Sequence, residues 1–92
     1  MTPEEVAQSY LDKGGVELQE FKHCAVGARV KHVGERWSEA YRDGTGVIER
    51  IFHFPNSKWS QKYRREDVEL IVRKDSGDYS YVADYHVERP ES

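Results

Sequence analysis

Gly44-Thr45-Gly46-Val47-Ile48-Glu49-Arg50-Ile51-Phe52-His53-Phe54 is the stretch on which the architecture turns. The two glycines around Thr45 suit a tight turn or a bulge, because glycine enters left-handed backbone without steric cost. The run from Val47 to Phe54 then concentrates β-branched and aromatic residues, the strongest strand signal in the chain. Val47, Ile51 and Phe52 are its expected core members. Pro55-Asn56-Ser57 breaks it.

Outward from this strand the period of two persists. Upstream, Ala28, Val30 and His32 alternate with Arg29, Lys31 and Val33, and Gly34 ends that strand. A polar connection, 35–43, joins the two. Downstream, an exposed-looking segment from Lys58 to Arg65 leads to Val68, Leu70 and Val72 alternating with Glu69, Ile71 and Arg73. Asp75-Ser76-Gly77-Asp78 reads as a hairpin turn. Tyr79 to Val82 makes a fourth strand, Ala83-Asp84-Tyr85 a single 3₁₀ turn, and His86-Val87-Glu88 a short fifth strand. At the other end, Thr2 with Glu5 forms a T-x-x-E capping box with Pro3 at the first helical position. Val6, Ala7, Tyr10 and Leu11 share one face of the helix that follows, and Lys13-Gly14-Gly15 stops it. Val16 to Cys24 fits a short strand, an extended connector or a helical turn.

Five short strands, a long connection after the first, another after the second, a tight third turn and a 3₁₀ turn before the fifth form a specific order. That order, over about residues 26–88, resembles an SH3-like barrel. It implies a mainly β fold, a small SH3-like five-stranded barrel with a short N-terminal helix. Residues 1–25 would be helix and connector and 26–92 the barrel, in one compact domain. Val26-Gly27-Ala28-Arg29-Val30 leading to Gly44-Thr45-Gly46-Val47-Ile48 is also similar to the opening of KOW-type and Tudor-like barrels. The acidic and Pro-binding residues of signalling SH3 domains are not recognisable. Arg42-Asp43-Gly44-Thr45-Gly46 and Ala83-Asp84-Tyr85-His86-Val87 are similar to small uncharacterised proteins of actinobacteria and their phages, a resemblance that implies no activity.

Size and composition narrow the function classes. Ninety-two residues make one domain. Hydrophobic residues reach only 37%; the 2 Trp, 6 Tyr and 3 Phe offset this, each able to bury about 150–250 Å². With 1 Cys no intrachain disulfide can form. No apolar run reaches the ~20 residues of a membrane span. Met1-Thr2-Pro3-Glu4-Glu5 is acidic where a signal peptide opens basic, so a cytoplasmic protein is expected. The net charge of -3 is uneven: residues 1–20 and 66–92 are acidic, residues 21–65 basic. A basic middle between acidic ends is either a footprint for an anion or the raw material for intramolecular pairing.

His23, Cys24, His32, His53 and His86 are the candidates for a metal site, but they lack the C-x₂-C or H-x₃₋₅-H spacing of a zinc site. Neither a metal nor another cofactor is expected. Cys24 has no nucleophile motif around it, and no phosphate-binding glycine loop is present, so an enzyme is not expected. The suggestive feature is a repeated order of Trp, then Tyr four residues later, then Arg. It occurs as Arg36, Trp37, Tyr41 and Arg42 in one connection, and as Lys58, Trp59, Lys62, Tyr63, Arg64 and Arg65 in the other. In an SH3-like barrel those connections flank the ligand groove. Trp, Tyr and Arg are also the residue types of binding hot spots. The plainer reading is that the four aromatics cap the ends of the sheet. Tyr79, Tyr81 and Tyr85 form a second aromatic group, expected to be structural. These features point to a non-catalytic module that binds another protein or peptide, a host protein if the phage resemblance holds. Self-association is a further option, and nucleic-acid binding the alternative, against which a pI of about 5.8 counts.

Overall fold

The computed structural model describes residues 2–32 and 44–89. Val33, Gly34 and the connection 35–43 lie outside the described residues. In chain order the elements are α1 (Pro3–Asp12), β1 (Val16–Leu18), β2 (Glu20–Phe21), β3 (Cys24–Ala25), β4 (Arg29–His32), β5 (Thr45–His53), α2 (Lys58–Tyr63), β6 (Val68–Lys74), β7 (Tyr79–Ala83), a 3₁₀ turn (Asp84–His86) and β8 (Val87–Glu88). The fold is mainly β, antiparallel, with a short N-terminal helix.

The main sheet runs β7-β6-β5-β4-β8, with β1 added beside the far half of β5. Consecutive strands β4 to β7 form a meander, and β8 returns to pair with β4, Lys31 opposite Glu88 and His32 opposite Val87. The meander and the short strand after the 3₁₀ turn are those expected from the sequence; the added strands β1, β2 and β3 enlarge the expected set of five. Among the described residues the ladders stop short of a closed five-stranded barrel: β7 and β8 are the two ends of the path and do not pair with each other.

β5 carries both faces of the core. Its register against β6 slips between Ile48 and Arg50, so Ile48 faces Val72 and Ile51 faces Leu70 with one extra residue between them. The bulge therefore falls inside the strand. At the glycines, Gly44 adopts φ +101, and Gly46 pairs within the ladders. The bulge also moves a core assignment. Val47 is half-buried while Ile48 is fully buried with Ile51 and Phe52. Ile48 and Ile51 join Val30, Val68, Leu70, Val72, Val82, Val87 and Cys24 on one side of the sheet. Phe52 and Ile71 face the opposite side and receive Ala7 of α1.

α1 starts as its capping box dictates. Thr2 Oγ1 accepts from the Glu5 N–H, and Glu5 accepts from the Thr2 N–H. Tyr10 packs edge-on against Phe52 and Phe54, with ring centroids 5.4 and 5.7 Å away. A helix of this length is not stable alone, so these contacts hold it. Leu11, on the same predicted face, remains exposed at 39%. The ambiguous stretch resolves into β1 on the edge of β5 and a β2–β3 hairpin. A bidentate pair fastens β1: Arg50 donates to both Glu17 oxygens at 2.8 Å.

Part of the charge is paired within the molecule. Basic residues of the middle segment meet acids of the flanks, Arg50 with Glu17 and Arg29 with Asp75, while Arg73 meets Glu49. Among the described residues no helix is long and apolar enough to cross a membrane.

Gly46 has no room for a side chain. A Cβ there would lie 2.6 Å from the Arg73 carbonyl oxygen and 2.8 Å from a Val72 methyl. Gly46→Ala should therefore destabilise the fold by about 2–4 kcal/mol, read as a lowered urea midpoint.

Candidate functional site

The predicted exposed segment from Lys58 to Arg65 is a helix in its first six residues. Ser57 caps α2, its Oγ accepting from the Ser60 N–H. Arg64 ends α2 in left-handed backbone, φ 54 and ψ 41, a place glycine usually takes. The spacing of Trp59 and Tyr63 is thus a helical i, i+4 pair, with ring centroids 5.3 Å apart. Lys62 Nζ lies 5.3 Å from the Tyr63 ring centroid. Tyr63, Lys58, Lys62, Arg64 and Arg65 are exposed and Trp59 is half-buried.

Trp59 stacks on Tyr85 of the 3₁₀ turn, rings nearly parallel at 8° and centroids 6.4 Å apart. Tyr85 is not structural filling; it is 51% exposed. Tyr81 does pack against the α1-covered core, and Tyr79 is exposed. Of the predicted binding residues, the structure gathers Trp59, Lys62 and Tyr63 around one aromatic group. Arg36, Trp37, Tyr41 and Arg42 lie outside the described residues. His32 and Gly44, which flank that connection, sit at the Thr45 end of β5, whereas α2 follows its His53 end.

Beside the Trp59–Tyr85 pair opens a cavity of about 280 Å³ lined also by Glu66, Asp67, Val68, Glu69 and Ala83. A second cavity of about 390 Å³, sharing Asp67 and Glu69, continues to Tyr10, Lys13 and Phe54 on the α1 side. The groove beside the predicted aromatics is therefore acidic. Glu66 pairs with His53 Nε2 at 2.5 Å. Among the described residues no ion pair engages Asp67 or Glu69, and Lys13, which borders the second cavity, forms none with them. Burial, reinforced by the charges of Asp67 and Asp84, pushes the Glu69 carboxyl up to about 7. Asp84 is itself buried, and that burial raises it, with Lys22 and His23 pulling the other way.

These acids have no prominence in the sequence, because adjacent carboxylates are common on surfaces. The usable signal was alternation: Glu69 shares a strand face with Ile71, and Ile71 is buried. What no alternation could show is that α2 and the 3₁₀ turn close over that end of β6.

The histidines serve the fold. His23 is half-buried, not solvated. Its Nε2 faces the carbonyls of Asp84 at 3.1 Å and Val87 at 3.0 Å, so it carries the hydrogen and donates. His32 is buried, its Nδ1 on the Gly44 carbonyl and its Nε2 taking the Ser80 hydroxyl at 2.8 Å; burial lowers its pKa. Among the described residues no group of three or more His, Cys, Asp or Glu side chains is placed to hold a metal ion. Cys24 is buried at 1% exposure, and desolvation raises its thiol to about 11, leaving almost no thiolate at neutral pH.

No protein-family model, no curated protein and no solved structure matches the chain.

Glu69 makes the groove costly to hold in its charged form. Its pKa in the folded state lies above the unfolded value of 4.5, so its stabilising share is whole below that pH and is lost as pH rises through about 7. Urea unfolding of Glu69→Gln should match wild type near pH 4.5. At pH 8 the variant should be the more stable by about 1–3 kcal/mol.

Proposed function

We propose that the chain is a small non-catalytic binding module of SH3-like barrel architecture that engages another protein through the surface of α2 and the 3₁₀ turn. The strand order supports the architecture. Four meandering strands are followed by a 3₁₀ turn and a fifth strand returning to the first. The observation that carries the functional reading is the aromatic group of exposed Tyr63 and Tyr85 around half-buried Trp59, bordered by Lys58, Lys62, Arg64 and Arg65. These are the residue types that dominate binding energy at interfaces. The bases of α2 make no ion pair among the described residues, unlike Arg29, Arg50 and Arg73. Arg64 occupies left-handed backbone at a cost of about 1 kcal/mol relative to glycine, which favours a use for its side chain.

The buried, high-pKa thiol of Cys24 and the fold-engaged His23 and His32 favour binding over catalysis. The carboxylates of Glu66, Asp67 and Glu69 beside Trp59 oppose a phosphate backbone on this surface, which ranks nucleic acid below protein. The same reading puts the chain in the cytoplasm and gives it no cofactor; the single free cysteine supports the first of these.

Affinity capture from the source organism, with immobilised wild type beside a Tyr63→Ala, Arg64→Ala, Arg65→Ala variant, tests this. All three residues are exposed, so the variant should keep the fold. Loss of one stoichiometric protein from the variant is expected; its retention would move the interface elsewhere. A mobility shift with generic DNA or RNA that weakens steeply with salt would favour the alternative.

A further inference from the structure

Resting on that protein-binding reading, we infer that the groove beside the Trp59–Tyr85 pair receives a cationic side chain, lysine or arginine, from an exposed segment of the partner.

Three observations meet at one place. The cavity is about 280 Å³, below the usual span of drug-sized ligand sites and suited to one side chain. Trp59 and Tyr85 both line it, and an aromatic face left open by their stacking attracts a cation lying within about 6 Å of the centroid. Its lining carries Asp67 and Glu69, which no base pairs among the described residues. The apolar lining from Val68 and Ala83 accommodates the methylene stem of a long cationic residue while its head meets the carboxylates.

Charge complementarity decides the occupant. An anionic or phosphorylated segment would meet Glu66, Asp67 and Glu69 at close range. A purely apolar side chain would leave Asp67 and Glu69 desolvated without a partner, which is unfavourable. A cation instead offsets the burial that raises the Glu69 carboxyl and the neighbouring charges of Asp67 and Asp84 that add to it. Lys13 does not fill this role: it does not line this cavity, and among the described residues it makes no ion pair with Asp67 or Glu69.

The test is a titration of the isotope-labelled full chain, followed by NMR, with pentapeptides that differ only at the central residue: lysine, arginine or the neutral arginine analogue citrulline. The lysine or the arginine peptide should shift the Trp59 indole and the amides of Asp67, Glu69 and Tyr85. It should bind about tenfold tighter than the citrulline peptide. Tyr85→Ala and Asp67→Asn should each weaken that binding about fivefold while the β4–β5 amides keep their positions. Citrulline binding equally well, or no shift up to about 10 mM of either cationic peptide, would overturn the inference. So would shifts that follow the protein's own concentration, which would mean that a second copy fills the groove. If the cationic peptides fail while the α2 variant still loses its captured protein, the binding-module reading stands and only the groove's occupant is wrong.

Discussion

β5 is hydrogen-bonded along both edges, and this two-sided pairing organises everything around it. β6 runs along the whole of one edge, β4 takes the first part of the other, and β1 takes the rest. The extra residue between Ile48 and Arg50 lets a single strand serve two cores. Ile48 and Ile51 point to one side and Phe52 to the other, where α1 settles on it. Without that bulge the β1-paired half would present its apolar residues to the wrong side, since a shift of one residue inverts a strand's faces.

The same strand places the groove. Beyond His53 the chain turns through Pro55 and Asn56 into α2, and the Phe54 N–H donates to the Asp67 carbonyl, which ties the start and end of that excursion together. Asp67 and Glu69 are thereby held close to the sheet. Glu69 lies opposite Phe52 on one side and Ala83 on the other, inside a ladder that fixes which way its carboxylate faces. A carboxylate in this position is held against its own solvation preference, and the fold supplies no base among the described residues to offset that.

Another part of the groove's lining is positioned by a histidine. His23, at the turn of the β2–β3 hairpin, donates to the carbonyls of Asp84 and Val87 and so braces the 3₁₀ turn that presents Tyr85. The hairpin, a short appendage by its pairing, in this way contributes to the aromatic surface some sixty residues away in the chain.

Local signals carried much of the fold: the capping box of α1, the alternation of β4 to β7, the hairpin at Asp75–Asp78, and the 3₁₀ turn, displaced by one residue. Each depends on neighbours in sequence, where propensity and period act directly. The helical nature of α2 was present in the spacing of Trp59 and Tyr63 but was masked by the polar residues around them. The pairing of Trp59 with Tyr85, the convergence of Asp67 and Glu69 on that pair, and the core role of Ile48 over Val47 have no local signature. They follow from a bulge and from two connections folding over the end of β6. Contacts between residues distant in the chain are decided by which faces the packed sheet leaves open, and only the tertiary structure settles those.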